Sequence, residues 1–235
     1  MMRAVIWDFD GTLGYRGGSD ASGGAWTTSL WEVLQAEVPG CGVTKEQLRP
    51  YMRAGFPWHE PDSAHTHVKS ADGWWQMVEP LFTRAYTAVG FDYKRAQRFA
   101  SLFRATYLDL DRWCVYHDVI PVLNVLSSAG WTHIMLSNHV PELRDIVSHL
   151  GLAPYFAEIF NSAEIGYEKP NPRAFQIALD ALPDVEEVWM VGDSMEADVT
   201  GALGVGIPAI LVRREHPDAR LYAETLLDVP VILSH

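Results

Sequence analysis

Two hydrophobic rhythms divide the chain. From about residue 115, short apolar runs alternate with segments of helical period, the pattern of a parallel sheet wound by helices. Residues 118–129 read as a helix closed by Gly130, residues 133–136 as a strand ending at Ser137 and Asn138, and residues 141–150 as a helix stopped by Gly151. The series continues with a short strand at 159–160, a helix over 172–182 and a strand over 188–191 that runs into Gly192 and Asp193. A helix over 197–203, a strand over 209–212 and an edge strand over 229–233 complete it. Far ahead of this region, Ala4, Val5, Ile6 and Trp7 form one more apolar run, read as the first strand and buried on both faces.

Between Thr12 and about Arg112 the rhythm is helical alone. Trp26, Leu30, Val33, Leu34 and Val38 have helical spacing, and Thr44 with Gln47 makes a capping-box pattern. Ser70 can cap a helix carrying Trp74, Trp75, Val78, Leu81, Phe82 and Ala85, and Asp92 one carrying Ala96, Phe99, Ala100, Phe103 and Tyr107. Roughly a hundred helical residues are therefore inserted after the first strand, enough for a small domain with its own core. The expected organisation is an α/β core of residues 1–14 and 113–235 with a helical domain of residues 15–112. Five glycines between Gly14 and Gly24 make the near junction pliable, and a tolerated loop and a working hinge are both compatible with it. No internal repeat is present.

Composition narrows the function classes. The 235 residues are 48% hydrophobic, yet no segment approaches the roughly 18 apolar residues of a membrane span. The run after Met1 is cut short by Asp8 and Asp10, unlike a secretory leader, so a cytoplasmic protein is expected. Two cysteines, Cys41 and Cys114, are too few for a disulfide framework and lack metal-site spacing, and are read as reduced thiols. A formal charge of -12 disfavours nucleic acid and anionic lipid as partners, so a phosphorylated small molecule would need local cationic help.

The candidate chemistry begins at Asp8-Phe9-Asp10-Gly11-Thr12, directly after the first strand. Paired anions there face like-charge repulsion and desolvation unless a cation joins them. Ligands of open α/β sheets bind outside the carboxyl ends of the parallel strands, where Ser137, Asn138 and Asp193 also fall. Carboxylates brought together from distant parts of the chain call for a divalent cation, and oxygen-only ligands favour Mg²⁺ over Zn²⁺. Magnesium keeps open positions for waters and a substrate phosphate, so a phosphate is the expected guest. Lys169, set in Gly166-Tyr167-Glu168-Lys169-Pro170 before a helix start, is a point cation able to stabilise a transferred phosphoryl group.

With these residues assembled, the chain closely resembles the haloacid dehalogenase superfamily, in its helical-cap subgroup. Asp8 to Thr12 fit the first motif, Ser137-Asn138 the second, Lys169-Pro170-Asn171-Pro172 with Phe175 the third, and Gly192-Asp193-Ser194 with Asp198 the fourth. Gly201, Ala202 and Gly206 match the extension of the last. The resemblance implies a Rossmann-like parallel sheet with helices on both faces and an inserted all-α cap. It implies that Asp8 is the nucleophile, that Asp10 protonates the leaving oxygen and then activates water, and that Thr12, Ser137, Asn138 and Lys169 hold the phosphoryl oxygens. Asp8 and Asp193 would bind Mg²⁺ by side chain and Asp10 by its backbone carbonyl, with Asp198 supporting the metal from behind these ligands. Members that cleave carbon–halogen bonds lack the second aspartate, so Asp10 favours phosphoryl transfer to water. A phosphomutase and a non-catalytic binding protein of the same fold are the alternatives, while Lys45, Lys69 and Lys94 stand in no context suited to a Schiff base.

Other signals carry less. His59, His65 and His67 fit no standard zinc spacing and are read as surface or packing histidines, with substrate contact through their loop and Trp58 as the alternative. Trp74 and Trp75 are read as core, again with substrate contact as the alternative. Gly201, Gly204 and Gly206 follow a helix rather than the first strand and make no dinucleotide loop. Gly14-Tyr15, where the family commonly has a polar pair, and Asn171, where it often has Asp, bear on the cap linker and hence on substrate choice.

Overall fold

The computed structural model describes residues 2–18 and 24–234. Strands β1 (Met2–Trp7) and β2 (Gly14–Arg16) precede helices α1 (Gly24–Glu37), α2 (Lys45–Leu48), α3 (Ala71–Ala88) and α4 (Tyr93–Tyr107). Next come β3 (Trp113–Val115), α5 (Val119–Ser128), β4 (Trp131–Ser137), α6 (Leu143–His149), β5 (Phe156–Asn161), α7 (Ser162–Ile165) and α8 (Pro172–Asp180). The chain ends with β6 (Val185–Gly192), α9 (Gly201–Gly204), β7 (Ala209–Val212), β8 (Tyr222–Ala223) and α10 (Val229–Ile232). These elements form two compact units, one of residues 1–15, 61–67 and 115–235, the other of residues 16–60 and 68–114. Part of the glycine-rich junction, residues 19–23, lies outside the described residues.

The first unit is built on a six-stranded parallel sheet of order β5-β4-β1-β6-β7-β8. Side chains alternate across β1, so Ala4 and Ile6 join Ala174, Phe175 and Ala178 of α8 and Val199 and Ala202 in one core. Val5 and Trp7 take the opposite face, where Trp7 Nε1 donates to His133 Nδ1 at 3.0 Å and Ser127 of α5 lies 3.1 Å from His133 Nε2. Helices therefore cover both faces, as the apolar runs imply. The strand order reverses beside β1, which makes its carboxyl end the topological switch point.

The second unit is helical and aromatic. Trp26 stacks on Tyr107 at 4.4 Å and Phe103 at 5.6 Å, and Phe82 stacks on Phe103 at 3.9 Å. Trp74 and Trp75 are buried within this cluster, in line with their reading as core. The caps follow the sequence: Ser70 Oγ accepts from Gly73 N at 3.1 Å, Asp92 Oδ1 from Arg95 N at 3.0 Å, and Gln47 Oε1 from Thr44 N at 2.9 Å. Buried Arg16 donates to Glu32 Oε2 and to the Thr106 carbonyl, both at 2.7 Å, and to the Tyr107 carbonyl at 3.2 Å. Among the described residues no helix is long and apolar enough to cross a membrane, and Cys41 and Cys114 are free thiols.

Several elements depart from the sequence reading, among them the short strands β2 and β3 at the borders of the region read as helical alone. Residues 229–233 form a helical turn, α10, rather than an edge strand: Pro230 brings a φ suited to a first helical turn and no N–H for a ladder. The sheet edge is instead the two-residue strand β8. Residues 197–203 are not one regular helix, because a π-helical segment, Met195–Thr200, precedes α9. The Ser194 carbonyl accepts from both Asp198 N at 3.0 Å and Val199 N at 3.2 Å, the second bond spanning the extra residue.

The buried His133 makes stability depend on pH. Its Nδ1 accepts from Trp7, so the proton sits on Nε2, and burial pushes the group down from 6.5 to about 4, with a backbone hydrogen bond opposing. Between these values the unfolded chain binds a proton that the folded one refuses, so stability is full above pH 6.5 and falls toward pH 4. Urea unfolding should show about 2–3 kcal/mol of this loss removed in His133→Gln, which is weaker at pH 7 but less pH-sensitive. Equal slopes for the two proteins would refute the assignment.

Candidate active site

Asp8 follows β1 without leaving its ladder, its N–H donating to the Val191 carbonyl at 3.0 Å. The chain then turns sharply, with Leu13 N donating to the Phe9 carbonyl at 2.9 Å and Gly11 N to the Gly14 carbonyl at 2.8 Å. Gly11 has φ +85°, and a Cβ there would stand 2.8 Å from Asp193 Cγ, so both the turn and the close approach require glycine. Ser137 ends β4 and Asp193 follows β6, the two strands that flank β1.

The centre is organised by one cation. Lys169 Nζ donates to Asp8 Oδ1 at 2.9 Å and to Asp198 Oδ1 at 2.6 Å, with all three side chains buried. Burial pulls the ammonium down, but the Asp198 and Asp8 carboxylates outweigh it and hold the group above the ordinary lysine value. Ser137 Oγ donates to Asp8 Oδ1 at 3.0 Å and Thr12 Oγ1 to Asp8 Oδ2 at 3.1 Å. The π-helical segment turns Asp198 back toward its own N-terminus, where its Oδ2 accepts from Ser194 N at 2.9 Å. Burial pushes Asp198 up to about 6 against the pull of Lys169, and burial with the Asp8 charge pushes Asp193 and Asp10 each up to about 7. These carboxyls carry more negative charge than their surroundings balance.

Asp8, Asp193 and Asp198 each offer a carboxylate oxygen within 4.8 Å of one another. An all-oxygen, crowded and anionic donor set fits a hard divalent cation and favours magnesium over zinc. Asp10 lies outside that trio and is partly exposed. The Asn138 side chain engages the lysine loop: its Nδ2 donates to the Lys169 carbonyl at 2.8 Å and its Oδ1 accepts from Lys169 N at 2.7 Å. Of the residues expected at the site, Asp8, Thr12, Ser137, Asn138, Lys169 and Asp198 are thus linked by hydrogen bonds, and Asp193 stands beside Asp8 and Asp198.

Two participants went unnoticed in the sequence. Arg214, just beyond β7, places Nε 3.0 Å from Asp193 Oδ2 although its side chain is 75% exposed. Its signal in the sequence is its position just past the carboxyl end of a parallel strand, the edge where Asp8, Ser137 and Asp193 also fall. Arg213 beside it donates from Nε to the Thr12 carbonyl at 2.8 Å and binds Asp118 with two nitrogens, at 2.7 and 3.2 Å, bracing the first loop.

Residues 2–206 match the family model of haloacid dehalogenase-like hydrolases. The chain belongs to that family. The haloacid dehalogenase-like chain is 34% identical over 147 residues to the phosphoserine phosphatase of Thermus thermophilus, covering 60% of this chain and 58% of that protein. It is 37% identical over 111 residues to a glyceraldehyde 3-phosphate phosphatase of Methanothermobacter thermautotrophicus, covering 46% and 49%. It therefore spans between about half and three-fifths of the length of these two relatives. Among solved structures, the magnesium-bound HAD-hydrolase YfnB of Bacillus subtilis superposes with a TM-score of 0.73 at 17% identity, over 100% of this chain and 99% of that one, which is a likeness of fold.

The crowding of carboxyls in this chain has a measurable cost. Asp193 ionises near 3.8 when unfolded and at about 7 in the fold, so at pH 8 the folded state carries a charge it disfavours. In excess chelator at pH 8, Asp193→Asn should raise the unfolding free energy by about 1–2 kcal/mol, after allowing for the lost Arg214 pair. A lower value in urea melts would show that Arg214 already balances the cluster.

Proposed function

We propose that the chain is a Mg²⁺-dependent phosphohydrolase that cleaves a small cytoplasmic phosphomonoester through an aspartyl-phosphate. The observation that carries this reading is the convergence on Asp8: Lys169, Ser137 and Thr12 all donate to its carboxylate, while Asp10 follows two residues later with its carboxyl raised to about 7. The phosphatase names of the two relatives support it.

In the proposed reaction Asp8 attacks phosphorus, and its new O–P bond forms as the ester O–P bond breaks. Asp10 gives its proton to the departing alkoxide, which leaves as the alcohol. The Asp10 carboxylate then takes a proton from water as that water attacks phosphorus, releasing phosphate and restoring both aspartates. Lys169 stabilises the charge on the equatorial oxygens and, with Ser137, orients Asp8. Asn138 fixes the backbone of the lysine loop, and Thr12 holds the other oxygen of Asp8. Mg²⁺ held by the Asp8 and Asp193 side chains and the Asp10 carbonyl, with Asp198 behind them, would neutralise the carboxylates and polarise the phosphate.

The test is phosphate release from an aryl phosphate in Mg²⁺. Asp8→Asn should abolish it, Asp10→Asn should lower kcat by about 10²- to 10⁴-fold, and excess chelator should silence the wild type. Full activity in Asp8→Asn or in chelator would overturn the mechanism. Isomerised sugar phosphate in place of free phosphate would identify a mutase.

A further inference from the structure

Residues 61–67 belong to the first unit although both of their flanks, ending at Glu60 and starting at Val68, belong to the helical one. Within this run one side chain is buried, that of His65, at 4% exposure, while Asp62, Ser63, Ala64, Thr66 and His67 are exposed. His65 Nε2 lies 3.0 Å from Oε1 of Glu168, which is itself buried and immediately precedes Lys169. The Glu168 oxygen serves as acceptor in this pair and the imidazole Nε2–H as donor.

The run is also fastened through its backbone. His65 N donates to the Gly166 carbonyl at 2.9 Å, and Asn171 Nδ2 donates to the Pro61 carbonyl at 2.9 Å. Gly166 has φ +79°, and a Cβ there would stand 2.8 Å from both Thr66 N and Cα, so the two backbones lie against each other. These attachments fall before and after Lys169 in sequence, while Asn138 holds the Lys169 peptide itself. Packing alone does not account for the choice of residues. Glu168 Oε2 and His65 Nδ1 have no hydrogen-bond partner among the described residues, and an apolar pair would be the more stable filling.

We infer that His65 is a positioning residue: through Glu168 it fixes the loop that aims the Lys169 ammonium at Asp8. The inference rests on the hydrolase reading for its catalytic consequence, but the placement of Lys169 can be read without turnover. The chain has only four lysines, of which Lys69 and Lys94 are exposed and Lys169 is 2% exposed. Trace acetylation with acetic anhydride, read by mass spectrometry, should modify Lys169 at least about tenfold more slowly than Lys69 and Lys94 in the wild type. In His65→Ala that protection should drop at least about threefold, with kcat for an aryl phosphate down about tenfold and KM within about twofold. His65→Gln, whose amide keeps a donor at the same reach, should restore both, and thermal melts should show all three proteins folded at the assay temperature.

Unchanged Lys169 protection in His65→Ala overturns the inference whatever kcat does. So does lost protection with unaltered kcat, or a Gln variant as impaired as the Ala one. Absence of turnover in the wild type would overturn the hydrolase reading alone, and the acetylation ratio would still decide whether His65 fixes Lys169.

Discussion

The first unit depends on the ammonium of Lys169 standing between Asp8 and Asp198. Two carboxylates about 4 Å apart repel by some 4 kcal/mol even at an effective dielectric near 20, and here burial adds to that cost. A single cation hydrogen-bonded to both turns the repulsion into a fixed geometry. The neighbouring features follow from this need. Asn138 grips the lysine backbone, the π-helical segment swings Asp198 inward, and Ser137 and Thr12 leave neither oxygen of Asp8 free to rotate.

Each unit is organised around one buried cation, but the two are paired differently. Lys169 meets carboxylates alone, which suits a point charge that must face a changing anion. Arg16 spreads its planar fork over Glu32 and two carbonyls at the end of α4, an arrangement that joins α1 to α4 within the second unit. The difference follows the chemistry of the side chains: the compact point charge sits among carboxylates, the planar fork where backbone carbonyls must be held.

Much of this was legible in the sequence because strand ends and helical periods leave direct marks. The apolar run before Asp8, the run before Ser137 and the run before Asp193 name the three strands that deliver the site. Elements too short to show a period were not legible: β8 has two residues, and residues 229–233 combine a β-branched run with a proline that decides the matter locally. The π-helical segment was not legible because one extra residue in a helical turn leaves no mark in the pattern of apolar positions. The histidines at 59, 65 and 67 look alike in sequence. Only the approach of residues 61–67 to Gly166 separates His65 from the other two.

The membership of residues 61–67 alters what counts as a module in this protein. An exchange of helical inserts between relatives would naturally cut at 15/16 and 114/115, treating everything between as one cassette. Such a graft would remove His65 together with the helices and leave Glu168 buried without its donor. A working chimera must therefore either retain residues 61–67 from the recipient or replace Glu168 along with them. Loop and lysine segment, far apart in the chain, would have to be exchanged together.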